Sequence, residues 1–160
     1  AQVISGIGFL GAGMIFYHNG AQIVPWEIKR NADGEANFTD SYISLRATST
    51  SYDRGITIGT VNKINFDGID SITFNATTIQ RSAGSNFTTS FIIDDDLSSY
   101  RPNLNEWYPI ARLVVSTANT KEDFTINTSN ITGNHYIGIG IDTGMSGSLD
   151  PIYLYSCTGK

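Results

Sequence analysis

Three short stretches set aromatic rings beside planar or charged hydrogen-bonding groups. That combination captures a sugar by stacking on its apolar C–H face and gripping its rim of hydroxyls. Tyr100 and Arg101 lie inside the segment Asp94 to Trp107 (DDDLSSYRPNLNEW), and Trp107 and Tyr108 end it. Tyr52, Asp53 and Arg54 form a second cluster before Gly55, and Trp26 stands beside Pro25. The 94 to 107 segment is the longest irregular stretch, and a loop of that length in a compact domain is usually functional or mobile. The expected ligand-binding residues are therefore Trp107, Tyr100, Arg101, Tyr52, Arg54 and Trp26. Core packing, the commoner use of a large aromatic, is the competing reading for each ring.

The same segment is rich in oxygen. Ca²⁺ takes six to eight oxygen ligands, and Asp94, Asp96 and Asn105, with Ser98 and Asn103, supply several. This is no EF-hand, because Ser99 stands where the loop needs glycine and Asn105 where it needs glutamate. Zinc is a poorer fit, since Cys157 is a lone cysteine and His18 and His135 are scattered. A Ser-His-Asp machine needs a histidine oriented by a carboxylate; His18 precedes the Asn19-Gly20 turn and His135 follows Gly133-Asn134, so both read as solvated turn residues. Asp94, Asp95, Asp96 and Glu106 could pair for glycoside hydrolysis only at about 5 to 10 Å, a spacing that loop neighbours rarely meet. No catalytic residue is assigned, and calcium is the one cofactor considered.

The elements that must hold these residues are strands. The chain has 160 residues, 21 of them Ile against 7 Leu, while Ser, Thr and Asn make 46 and Glu and Lys only 4 each. β-branched residues suit strands and the strong helix formers are scarce. Period-two patterns recur at Ile43, Leu45 and Ala47, at Ile56 and Ile58 (half-buried, by their alternation with Thr57 and Gly59), and at Ile72, Phe74 and Ala76. They return at Phe87, Thr89, Phe91 and Ile93, then at Ala111, Leu113 and Val115, Phe124 and Ile126, Ile137 to Ile141, and Ile152 and Leu154. The 72 to 76 and 87 to 93 strands, joined by the turn at Ser82 to Ser85, form the clearest hairpin. Pro25 lacks a ladder donor and suggests an edge or bulge in a strand from Ala21 to Arg30. About ten short strands without an amphipathic helix predict an all-β, two-sheet antiparallel β-sandwich of jelly-roll type over residues 14–160. The last strand, ending at Tyr155, would pair with an early one.

Residues 1–13 read as a Gly-rich apolar connector or assembly segment, followed by a first strand from about Gly13 to His18. Gly6, Gly8 and Gly11 match G-x-G-x-x-G, but no strand precedes them and no helix follows. The run ISGIGFLGAG resembles a glycine-rich motif of MgtC-type membrane proteins, which would imply a membrane segment, yet a spanning helix needs roughly 20 apolar residues and further helices are lacking. The start at Ala1 suggests a fragment. Net charge is −5 with no basic run, which argues against nucleic acid and anionic membranes as partners. Five N-x-S/T triplets, at Asn37, Asn75, Asn86, Asn127 and Asn130, read as the polar face of a sheet.

MIFYHNG (Met14 to Gly20), NKINFDGIDSITFNAT (Asn62 to Thr77) and FTINTSNITGNHYIGIGI (Phe124 to Ile141) together resemble β-sandwich modules of bacteriophage tail and receptor-binding proteins. Related modules resemble galactose-binding-type carbohydrate-binding domains. The resemblance implies a non-enzymatic module in a virion or extracellular setting that contacts bacterial surface polysaccharide, often as a trimer. The alternative is a structural virion module (head fibre, decoration or collar domain) that mediates self-assembly only.

Overall fold

Successive side chains of a strand point to opposite faces, so a period-two sequence buries its whole apolar set on one side. The computed structural model describes residues 13–17, 21–49, 54–78, 88–99, 108–115, 121–143 and 151–160. Among them are twelve strands and no helix: β1 (Gly13–Tyr17), β2 (Ala21–Ala32), β3 (Gly34–Phe38), β4 (Ile43–Ala47), β5 (Arg54–Thr60), β6 (Ile64–Asn65), β7 (Ser71–Thr77), β8 (Thr88–Asp94), β9 (Ala111–Val115), β10 (Glu122–Asn127), β11 (Asn134–Thr143) and β12 (Ile152–Gly159). A seven-stranded sheet runs β1-β2-β5-β11-β8-β9 with β6 on β11, and a five-stranded sheet runs β10-β7-β12-β4-β3. All pairings are antiparallel. The fold is the antiparallel β-sandwich that the alternation predicts, with two strands more than expected. No helix of the described residues is long and apolar enough to cross a membrane.

The core lies between the sheets. Across the seven-stranded sheet Ile58, Ile139, Phe91 and Leu113 stand in register and face it. Phe74 of the other sheet meets Phe91 at 4.7 Å between ring centroids, and Phe124 stacks on Phe91 at 4.9 Å. Each such side chain, fully buried, contributes about 1.5–3 kcal/mol. Cys157 is in this core, and burial pushes its thiol pKa up.

Several expectations are corrected here. β7 and β8 are not a hairpin: β7 lies between β10 and β12, and β8 between β11 and β9 in the other sheet. They meet through Phe74 and Phe91 across the core, because alternation reports which face is inward and not which strand is the neighbour. β5 is buried on both faces from Gly55 to Thr60, not half-buried. β2 is an interior strand between β1 and β5. Pro25 sits where pairing to β1 ends, opposite Gly13, and pairing to β5 begins at Trp26 opposite Thr60, so its missing N–H falls at a change of partner. The bulge lies further on, between Ile28 and Arg30. Trp26 is 2% exposed and fills the core, so it is not a surface platform.

The Asn31 to Gly34 turn carries the chain from one sheet to the other. Asp33 takes φ 59°, tolerable for a residue that hydrogen-bonds locally, and the Asn31 side chain accepts the Gly34 N–H at 2.8 Å. A Cβ on Gly34 would sit 2.7 Å from Cβ of Ile56, which keeps this corner glycine. As expected, the last strand pairs with an early one, β12 with β4.

Candidate functional site

The outward face of the seven-stranded sheet is built by the residues that alternate with the core isoleucines. Ile56 and Ile58 on β5 put Thr57 and Gly59 outward, Ile137, Ile139 and Ile141 on β11 put Gly138 and Gly140 outward, and Phe91 on β8 puts Ser90 and Ile92 outward. The resulting floor is small: Thr57, Gly59, Gly138, Gly140 and Ser90. Leu97, from the segment after β8, is seated on it. A Cβ at Gly59 or Gly138 would meet Leu97 Cδ1 at 2.4 or 2.6 Å, so only glycine admits that side chain. Ile92, Leu97 and Tyr136 form a separate small apolar cluster here.

One row of registered residues crosses four strands of this face: Arg30 opposite Thr57, Thr57 opposite Gly140, Gly140 opposite Ser90. Thr57 and Ser90 are fully buried. Their hydroxyls and Nη1 of Arg30 have no hydrogen-bond partner, and the fourth such atom among the described residues, Thr89 Oγ1, belongs to a residue whose parity along β8 is that of Phe91. A buried donor or acceptor left unmade costs about 1–3 kcal/mol, and native proteins hold few of them. Three of them stand in one line, sealed from solvent.

One end of this face carries a charged cluster around Tyr136. Lys29 Nζ lies 4.2 Å from the Tyr136 ring centroid and Lys63 Nζ 5.6 Å. Lys29 also pairs with Glu27 at 2.9 Å, and Lys63 with Asp95 at 3.3 Å. Asp95 Oδ1 meets Nδ1 of His135 at 2.8 Å, and Nε2 of His135 lies 2.7 Å from the Thr132 carbonyl. Both ring nitrogens are within hydrogen-bond distance of an oxygen, which fixes the orientation of the ring. The His135 hydrogen bond, aided by Lys63, holds the Asp95 carboxyl below its ordinary pKa. His135 is thus a tethered residue at the start of β11, its side chain 15% exposed, and not a solvated turn residue.

The sequence-derived candidates are not gathered into one site by their described members. Arg54 opens β5 opposite Thr143, exposed and 3.5 Å from Asp33, while Asp94 closes β8 opposite Tyr136. Those positions are at opposite ends of β11, roughly 23 Å apart at 3.3 Å per residue. Asp96 is occupied locally: its Oδ1 accepts from Ser98 Oγ at 2.6 Å and Ser98 N at 2.9 Å, which lowers its pKa. Among the described residues no three His, Cys, Asp or Glu gather to hold a metal ion. Tyr52, Tyr100, Arg101, Asn105 and Trp107 lie outside the described residues. Sequence reasoning missed Tyr42, Tyr153 and Tyr155; the available signal was the alternation of tyrosine with the core residues Ile152 and Leu154 in IYLY.

The outward face of the five-stranded sheet is organised differently. Thr73 and Thr125 share a hydrogen bond at 2.9 Å, Asn75 donates to Asp123 at 2.7 Å, and Arg46 meets Glu35 at 2.8 Å. Tyr42 packs edge-on to Tyr153 at 5.1 Å, Tyr155 lies 6.2 Å from Tyr153, and Lys121 stands 4.3 Å over Tyr155. An open groove of about 490 Å³ adjoins them, lined by Glu35, Asn37, Ser44, Arg46 and Pro151 among others.

No family model matches the sequence, and no curated protein matches it. Solved structures do. A low-affinity xylan-binding module, CBM86, from the xylanolytic gut symbiont Roseburia intestinalis superposes with a TM-score of 0.51 at 14% identity, covering 84% of this chain and 88% of that one. A CBM4 module matches at 0.48 and 15% identity over 85% of this chain and 87% of that one, and the mannan-recognising TmCBM27 at 0.45 and 11% over 82% and 85%. The first likeness establishes a shared β-sandwich fold.

Proposed function

We propose that this protein is a non-catalytic carbohydrate-binding module whose glycan docks on the outward face of the five-stranded sheet. The observation that carries this reading is the part-exposed aromatic cluster of Tyr42, Tyr153 and Tyr155 beside an open groove of about 490 Å³ lined by Glu35, Asn37, Ser44 and Arg46. A sugar stacks its apolar C–H face on such a ring, and its hydroxyls both donate to and accept from the polar groups of the groove. The xylan-binding neighbour of like fold supports the class of ligand. On the strand resemblance noted above, the finer reading is a phage tail or fibre module, virion-borne and oligomeric, with bacterial surface polysaccharide as its ligand.

The test is an array of bacterial surface and plant polysaccharides probed with the full chain and with a Tyr153→Ala, Tyr155→Ala double variant. The reading expects binding by the parent and its loss in the variant with the fold intact. Absence of binding to every polysaccharide overturns it. A self-assembly module is the second reading, favoured by β9, the last strand of its sheet among the described residues. Near or on it, Tyr108 is 83%, Ile110 44% and Val114 42% exposed, and an apolar sheet edge is a pairing surface. A monomeric mass by light scattering would exclude it.

A further inference from the structure

The charged pair in the groove differs in placement from the other polar pairs of its face. Arg46 on β4 and Glu35 on β3 stand opposite one another, joined by Nη2 and Oε2 at 2.8 Å, with side chains 43% and 62% exposed. Both line the open groove of about 490 Å³, and Ser44 and Asn37 form the adjoining registered pair in it. The groove runs into the tyrosines. Tyr42 stands two residues before Ser44 on β4, and Tyr153 two residues after Pro151, which also lines the groove; residues two apart on a strand share a face. Tyr153 is registered opposite Ser44, so Arg46 is its diagonal neighbour, at the roughly 7–8 Å that rings and long side chains span. A sugar ring stacked on Tyr153 would bring its rim of hydroxyls to Arg46 and Glu35.

The pair has the chemistry that two neighbouring hydroxyls need. Its contact occupies one nitrogen of a guanidinium with five N–H donors and one oxygen of a carboxylate with about four acceptor sites. A hydroxyl has one donor and two acceptor lone pairs, so of two adjacent hydroxyls one can donate to Glu35 while the other accepts from Arg46. Hydrogen bonds to ionised groups are about twice as strong as neutral ones, and the ion pair sets the spacing of the two groups before a sugar arrives. We propose that the Glu35–Arg46 pair is the specificity element of the groove and reads two adjacent free hydroxyls on one sugar ring stacked on Tyr153. This rests on the glycan-binding reading and narrows it to chains that are not acylated at those hydroxyls. An O-acetyl group removes the proton that Glu35 accepts and adds bulk where Arg46 donates. An exposed ion pair adds little to stability, so both residues can be changed without unfolding the sheet.

The experiment titrates the full chain, Glu35→Gln and Arg46→Lys with O-acetylated xylan, glucomannan and galactan, and with the same polymers after mild alkali has removed the acetyl groups. Circular dichroism checks that each variant is folded. The expected result in the parent is binding of a deacetylated polymer about tenfold tighter than of its acetylated form, as one charge-assisted hydrogen bond implies. Glu35→Gln should lose most of that ratio by weakening the deacetylated form alone, and Arg46→Lys, which keeps the charge without the fork, should fall between the two. Equal or weaker binding of the deacetylated form by the parent, or a ratio that survives in Glu35→Gln, overturns the proposal and leaves glycan binding in place. Failure of every preparation to bind overturns the glycan reading itself.

Discussion

The two outward faces of the sandwich come from the same alternation and end in opposite states. On the five-stranded sheet the protein satisfies its own polar groups: Thr73 with Thr125, Asn75 with Asp123, Arg46 with Glu35. On the seven-stranded sheet Arg30, Thr57 and Ser90 hold buried atoms that nothing satisfies. The first arrangement is what stability favours, each pair adding about 0.2–1 kcal/mol. The second costs stability, about 1–3 kcal/mol for each buried group left unpaired. Burial separates the faces as well, since Thr57 and Ser90 are sealed while Thr125 and Asp123 are open to water.

The largest effect should come from the glycines on which Leu97 rests. Gly138→Ala sets a methyl 2.6 Å from Leu97 and 2.7 Å from the Ile58 carbonyl; urea unfolding should show a loss of about 1–3 kcal/mol, the usual cost of overpacking. An unchanged midpoint would mean that Leu97 is not seated there. Next, Thr57→Val and Ser90→Ala remove unpartnered hydroxyls, so each should leave stability in urea equal or higher by up to about 1 kcal/mol. A variant that loses stability would erase the contrast between the faces. On the other sheet Asn75→Ala removes a made hydrogen bond and should cost about 0.5–1.5 kcal/mol; an unchanged unfolding midpoint would mean that the contact with Asp123 adds nothing.

The smallest effect is expected at Asp95. Its folded pKa lies below its unfolded value, so its contribution is present above the ordinary carboxylate range and is lost as pH falls through the folded pKa. Thermal melts of Asp95→Asn and the parent should therefore differ slightly at neutral pH and converge in acid. A gap that widens in acid would show that His135 and Lys63 do not hold that carboxylate in its charged form.

Much of the fold was legible because strand periodicity is local. Ile43, Leu45 and Ala47, or Ile72, Phe74 and Ala76, face the core as their spacing requires. The site was not legible. Trp26 is a ring beside a proline, yet its strand points it into the core, while Tyr42 and Tyr153 are far apart in the chain and meet only because β12 pairs with β4.

The amino-acid sequence by itself determined the class of fold and the inward set, since Cβ direction alternates along any strand whatever its partners. Only the tertiary structure decided which strands are neighbours, because backbone N–H and C=O groups are the same at every residue and carry no address. That choice of partners separated β7 from β8, closed Gly59 and Gly138 under Leu97, and set Arg30, Thr57 and Ser90 in one row from three distant strands.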